Sequence, residues 1–160
     1  MEKYQEYIAS INEGIIEFSN FLKLEYYLSP IDNSKLKDPK HSWDLTRIGW
    51  DETSFPNGTD RGVYFIFGKK KNDDNKLGVY VGKASNSSMM GKRLNSHLNN
   101  SERHNKIYPM RDNVGDEFLL EYVVTYPMEG LFYFAPALEE FLIYFLQDKK
   151  VYLLNGVGKY

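Results

Sequence analysis

Within RGVYFIFGKKKNDDNKLGVYVGKASNSSMMGKRLNSHL, residues 61–98, a short phrase occurs twice, as GVY at Gly62 to Tyr64 and as GVYVG at Gly78 to Gly82. Each copy sets a tyrosine in a run of β-branched and aromatic residues, and the second is followed by Lys83, Arg93 and His97. Side chains of these types can meet a phosphate and move a proton. A guanidinium forms two parallel hydrogen bonds to phosphate oxygens, and an imidazole changes charge near neutral pH. The distribution of charge suits that chemistry. Residues 1–60 carry 6 Lys/Arg against 11 Asp/Glu, and residues 112–160 carry 3 against 8, so each flank is −5. Residues 61–111 carry 11 against 3, a net +8 inside a chain whose total is −2. A basic block of this kind is the footprint of a surface that meets phosphates, although equal charge can also be simply solvated.

The bulk properties bound the alternatives. At 160 residues, with 42% hydrophobic and 16% aromatic residues, the chain is long enough for one domain with a core of its own. It has no apolar run of membrane-spanning length and no apolar stretch in MEKYQEYIAS, so it reads as cytoplasmic, with no membrane partner. Without cysteine it has no disulfide, no thiol nucleophile and no thiolate zinc site. Any metal must be held by carboxylates, imidazoles and water, the ligands that suit Mg²⁺ or Mn²⁺.

The elements that would position these residues follow from periodicity. Tyr4, Ile8, Ile11, Ile15, Phe18 and Leu22 step by three and four, with Glu6, Glu13 and Glu17 off the stripe, which predicts an amphipathic helix over residues 3–28. Ile16, Phe21 and Leu24 widen that stripe toward core packing, and a coiled-coil seam is the alternative. Residues 29–60, with Pro30, Pro39 and Pro56, read as a long loop holding a short helix around Trp43 to Ile48. Val63 to Phe67 and Val79 to Val81 read as the strands of a hairpin whose polar tip carries Lys69, Lys70 and Lys71. Met89 to Asn100 suits a helix capped by one of Ser85 to Ser88, with Arg93 and His97 four residues apart on one face. Phe118 to Tyr126 reads as a third strand, and Pro136 opens a second long helix bearing Leu138, Glu139, Phe141, Leu142 and Phe145. The final Val151 to Gly156 is short and extended. His41 and His104 lie outside any motif and read as surface residues.

The ordered set of Gly62-Val63-Tyr64, Tyr80-Val81-Gly82, Arg93, His97, Glu139 within LEEFLI and Asn155 within YLLNG resembles the GIY-YIG nuclease superfamily, over roughly residues 61–156. A His four residues after the Arg is most similar to its restriction-endonuclease-like members. The resemblance implies an α+β fold, a small three-stranded antiparallel or mixed sheet flanked by helices. Residues 61–160 would be the nuclease-like domain, and residues 1–60 an added helix and loop packed on its core. It further implies hydrolysis of DNA phosphodiester bonds with one Mg²⁺ (or Mn²⁺) held by Glu139, in preference to its neighbour Glu140. Arg93 would clamp the phosphate, and Tyr64 or Tyr80, with Tyr64 favoured, would position or deprotonate the attacking water. A tyrosine acting as base needs its pKa lowered, by Lys83 and the metal. His97 would bond to phosphate, water or a tyrosine hydroxyl, and Asn155 would orient the site. Lys83, Lys92 and the tip lysines Lys69, Lys70 and Lys71 are the expected substrate contacts. One such site cuts one strand at a time, so double-strand cleavage invites a homodimer, for which the Tyr4 to Leu22 helix is the candidate interface. A catalytically silent nucleic-acid-binding module and a protein assembly domain are the alternatives.

Overall fold

The computed structural model describes residues 1–47, 55–86, 88–98 and 105–156. Its elements are α1 (Gln5–Asn20), β1 (Ser42–Asp44), β2 (Gly62–Lys70), β3 (Asp73–Ala84), α2 (Met90–Leu98), β4 (Pro109–Arg111), β5 (Glu117–Pro127) and α3 (Ala135–Gln147). The strands form one antiparallel sheet in the order β1-β5-β2-β3, with β4 also paired to β5. Three helices and an antiparallel sheet make the chain α+β, as its sequence suggests.

The central strand β2 is buried on both faces from Gly62 to Gly68, which is why its sequence is a continuous apolar run rather than an alternating one. Successive side chains point to opposite faces. Val63, Phe65 and Phe67 enter a core with Ile8, Ile11 and Ile15 of α1 and Leu138 and Leu142 of α3. Tyr64 and Ile66 enter a second core with Met90, Leu94 and Leu98 of α2. The N-terminal helix therefore shares one apolar cluster with the rest of the chain. At Gly14 the two helices on the first face come so close that an added Cβ would lie 2.7 Å from Leu142 Cδ2.

The sheet has five strands where three were expected. The hairpin and Phe118 to Tyr126 account for β2, β3 and β5; the additional strands are the three-residue β1 and β4, both on the outer edge of β5. Trp43, expected in a short helix, lies instead in β1 opposite Val123 and stacks on Phe55 at 5.2 Å. Burying Trp43 and Leu45 in the α2-side core while covering an open sheet edge outweighs a one-turn helix. Ile48, the end of that expected helix, lies outside the described residues. At the opposite edge, Val79 N–H donates to Tyr152 O (2.9 Å) and Leu154 N–H to Val79 O (2.8 Å), so the C-terminal segment runs parallel to β3.

Helix α1 ends at Asn20 rather than 28, because the chain turns back along it. Asn12 bonds both backbone groups of Ile31 through its carboxamide, and Ser19 Oγ accepts from Leu28 N–H at 3.0 Å. Tyr4, Ile8, Ile11, Ile15 and Phe18 are buried as the stripe predicts. Ile16, Phe21 and Leu24 do not widen it, being 43%, 72% and 100% exposed. Tyr4, Ile8, Ile11, Ile15 and Phe18 are occupied within the chain's own core and are not free to form a coiled-coil seam. For α2, the amides of Met90 and Gly91 donate to the carbonyls of Asp60 and Gly58 at 2.9 Å each; of the serines expected to cap the helix, Ser87 lies outside the described residues, as do Asn99 and Asn100 at its other end. No helix among the described residues is long and apolar enough to cross a membrane.

The phase of α1 gives a direct check by urea unfolding. Ile15→Ala, which opens a cavity between α1 and the sheet, is expected to cost about 2–5 kcal/mol. Ile16→Ala, one residue on, is expected to stay within about 0.5 kcal/mol.

Candidate active site

Tyr64 and Tyr80 come from the α2-facing side of neighbouring strands, and the register Tyr64↔Gly82 and Ile66↔Tyr80 decides how they meet. The Tyr64 ring leans across β3 over the bare Cα of Gly82. A Cβ built there would overlap the ring and lie 2.6 Å from its hydroxyl, so only glycine leaves the room. From α2, His97 closes the cluster. The Tyr64 hydroxyl lies 3.1 Å from His97 Nε2, and the Tyr80 and His97 rings are 4.6 Å apart. Arg93 stands one turn before His97 on the same helix, near enough to act electrostatically on both tyrosines and on His97.

Glu139 enters from α3. Its Oε2 accepts from Lys83 Nζ at 2.6 Å, and its charge reaches both tyrosine hydroxyls. Glu139 is 16% exposed and Lys83 38%, so the pair sits at the mouth of the cluster. Glu140, its neighbour, is exposed. Among the described residues no three His, Asp or Glu side chains converge to hold a metal ion. A lone carboxylate still fits a hard divalent ion of the magnesium type, which keeps several waters and takes substrate phosphate oxygens.

The electrostatics differ from the expected lowered phenol. Tyr64 is fully buried, and burial, then Tyr80, push its pKa far up; Arg93 opposes this, and Glu139 adds to it. Burial and Glu139 also raise Tyr80, which is half-buried. Lys83 does not act as the lowering cation, because its charge is matched by Glu139. Burial, then Arg93, lower the pKa of His97 from its usual 6.5, so the ring is neutral at pH 7. With its proton on Nδ1, the neutral imidazole accepts at Nε2 from the Tyr64 hydroxyl, a geometry through which a proton can pass between the two.

Asn155 acts one step away from this cluster. Its Oδ1 accepts from Val81 N–H (2.8 Å) and its Nδ2 donates to Val81 O (2.7 Å), so the buried carboxamide stands in for a strand partner between Tyr80 and Gly82. It holds β3 in place and makes its side-chain hydrogen bonds to the Val81 backbone. Lys92 is exposed on α2 beside Arg93. Lys69, Lys70 and Lys71 are not brought to the site. They lie five to seven residues along from Tyr64, about 17–23 Å at strand rise. Each is held by carboxylate: Lys69 by Asp74 (2.7 Å), Lys70 by Asp116 (2.6 Å) and Lys71 by Glu117 (2.5 Å).

Two features escaped the sequence reading. Gly82 as the socket for Tyr64 was accessible from the hairpin register, since pairing Gly68 with Gly78 forces Tyr64 opposite Gly82. His41 is not a free surface group: its Nδ1 lies 2.9 Å from Asn57 Nδ2, which also donates to Thr125 Oγ1. Nothing local in the sequence links those three. His104 lies outside the described residues.

No family model, no curated protein and no solved structure matches this chain.

Gly82→Ala is expected to displace the Tyr64 ring, visible as a changed Tyr64–His97 contact in the NMR spectrum of His97. Asn155→Ala, which leaves the Val81 amide and carbonyl without partners, is expected to cost about 1–3 kcal/mol for each in thermal or urea unfolding.

Proposed function

We propose that the chain is a metal-dependent endonuclease that hydrolyses DNA phosphodiester bonds, in the manner of the GIY-YIG nucleases its sequence resembles. The observation that carries this reading is the Tyr64 hydroxyl on a neutral His97, beside Arg93 and facing Glu139. Phosphodiester hydrolysis needs a base for the attacking water, cations for the phosphate charge that develops, and a proton or cation for the leaving oxygen. Each requirement has a candidate in the cluster.

Arg93 lies at the exposed surface of α2, forms no salt bridge among the described residues, and offers its fork of N–H donors to two phosphate oxygens. Tyr80, the more exposed tyrosine, orients the attacking water. Behind it the Tyr64 oxygen takes the water's proton as its own passes to His97 Nε2, so no free phenolate is needed despite the raised pKa. The water oxygen bonds to phosphorus, the bond from phosphorus to the leaving 3′ oxygen breaks, and that oxygen is protonated from solvent. A bound Mg²⁺ or Mn²⁺ would supply charge stabilisation to the phosphate and the leaving oxygen, and Glu139 is the residue that would hold it. Lys83 then becomes free for a second phosphate contact, together with Lys92.

The first test is cleavage of supercoiled plasmid at low salt with Mg²⁺ or Mn²⁺. Wild type is expected to nick or linearise it, and Glu139→Ala or excess EDTA to abolish the reaction. Intact plasmid with both metals, alongside gel shifts that weaken with salt, would instead favour a silent DNA-binding module. The relay makes a sharper demand. Tyr64→Phe and His97→Gln should each slow the reaction about 10²–10⁴-fold, and the double variant hardly further. Activity in the wild type is expected to fall on the acid side as His97 becomes protonated. Because its folded-state pKa is depressed, that fall lies below pH 6.5, and fold stability also declines there because the unfolded chain takes up the proton more readily.

A further inference from the structure

A cavity of about 790 Å³ opens at the end of the sheet where β2 begins and β5 finishes, lined by Lys35, His41, Asn57, Arg61, Glu129 and Phe132 among others. Its size is that of a small-ligand site. Asn57, held at φ 47°, directs its Nδ2 to both His41 Nδ1 and Thr125 Oγ1 at 2.9 Å each. Thr125 Oγ1 in turn donates to His41 O (2.9 Å), which fixes the carboxamide's orientation and leaves its oxygen without a partner among the described residues. The guanidinium of Arg61 lies 4.8 Å from the centre of the Phe132 ring and forms no salt bridge among the described residues. The cavity thus presents a supported planar cation and a fixed hydrogen-bond acceptor. Asp60 and Glu129 offset Lys35 and Arg61, so it is no phosphate trap.

Two connections tie this cavity to the candidate active site. Thr125 is the cross-strand partner of Tyr64. The loop carrying Asn57 and Arg61 also supplies the Gly58 and Asp60 carbonyls that hold the first amides of α2, the helix of Arg93 and His97. From Thr125 on β5 to Gly82 on β3 is two strand spacings, about 10 Å, or about three nucleotides of a bound strand.

We propose that the cavity receives one nucleobase lifted out of the DNA stack, about three nucleotides from the cut, stacked on Arg61 and read by the Asn57 carboxamide oxygen. This rests on the nuclease reading and adds to it a substrate class: DNA with an unpaired or readily unstacked nucleotide near the cut. Concavity decides against groove reading, since base edges within a duplex are met by protruding elements and not by recessed ones. An acceptor facing the lifted base takes a donor of its Watson–Crick edge, an exocyclic amine or a ring N–H, and so fixes the orientation of the base in the cavity.

The test uses the full chain with Glu139→Ala as background, so that DNA is bound but not cut, and duplexes carrying 2-aminopurine at successive positions around a mapped cleavage site. One position is expected to brighten several-fold as its base leaves the stack. Arg61→Lys, which keeps the charge and loses the plane, and Asn57→Gly, which keeps the left-handed backbone, should each remove that signal and weaken binding about tenfold. Binding and wild-type cleavage without any brightening would overturn the inference and leave the nuclease reading standing. A signal undiminished in both variants would also overturn it. If the wild-type chain neither binds DNA nor cuts plasmid, the nuclease reading falls and takes the inference with it.

Discussion

The contact on which the site depends is the face of the Tyr64 ring against the Cα of Gly82. The β2–β3 ladder sets these residues opposite each other, and a side chain at either the wrong register or the wrong position would drive the ring back toward β5. With the ring leaning toward the sheet edge, its hydroxyl meets a histidine on α2 and feels a carboxylate on α3, two helices that lie on opposite faces of the sheet. At the β3 edge, groups from both faces can approach one point. Everything that fixes this edge therefore acts on the site: the parallel strip of residues 152–154, the Asn155 carboxamide on Val81, and the α1–α3 packing behind it.

How much of this was legible depends on whether the determinant was local. The α1 stripe, the hairpin and the long α3 rest on periodicity and turn composition, and all three form, although α1 ends at Asn20 instead of 28 and the hairpin strands run on through Lys70 and from Asp73 into the expected polar tip. Ile16, Phe21 and Leu24 carry the same apolar character but face outward, because hydrophobicity alone does not say which partner a helix finds. The strand at Trp43 was invisible for a related reason. Three residues carry almost no strand signal, and their conformation is set by the edge of β5, some eighty residues away. At the site, residue identities could be read from their order along the chain, but roles could not. Asn155, expected to orient the site, bonds the Val81 backbone; Lys83, expected as a phosphate contact, holds Glu139.

The basic segment illustrates the same limit in its charges. A +8 block suggests one cationic surface. Folding instead pairs Lys69 with Asp74 of the hairpin, Lys70 and Lys76 with Asp116 just before β5, and Lys71 with Glu117 of β5, so the end remote from Tyr64 is locally neutralised. Exposed pairs of this kind contribute little to stability, and their larger effect is on where the field points. Among the described residues, Lys92 and Arg93 on the outer surface of α2 keep open positive charge beside the tyrosines, while Arg61, Lys106 and Arg111 keep theirs elsewhere.

The Lys83–Glu139 pair has a consequence for the proposed chemistry. A single carboxylate already matched by an ammonium at 2.6 Å is a poor site for a divalent ion by itself. A phosphate changes both halves of that balance, since it can draw Lys83 away and supply oxygens to the ion. Ion and DNA would then strengthen each other's binding by the same factor, as linkage requires. The charge on Glu139 also raises the pKa of both tyrosines, so neutralising it would ease release of the Tyr64 proton to His97 at the step when substrate is present. In the free chain the ion pair keeps the carboxylate occupied and burial keeps the phenols protonated; under the proposed chemistry the cluster would become competent when a phosphate arrives between Arg93 and Glu139.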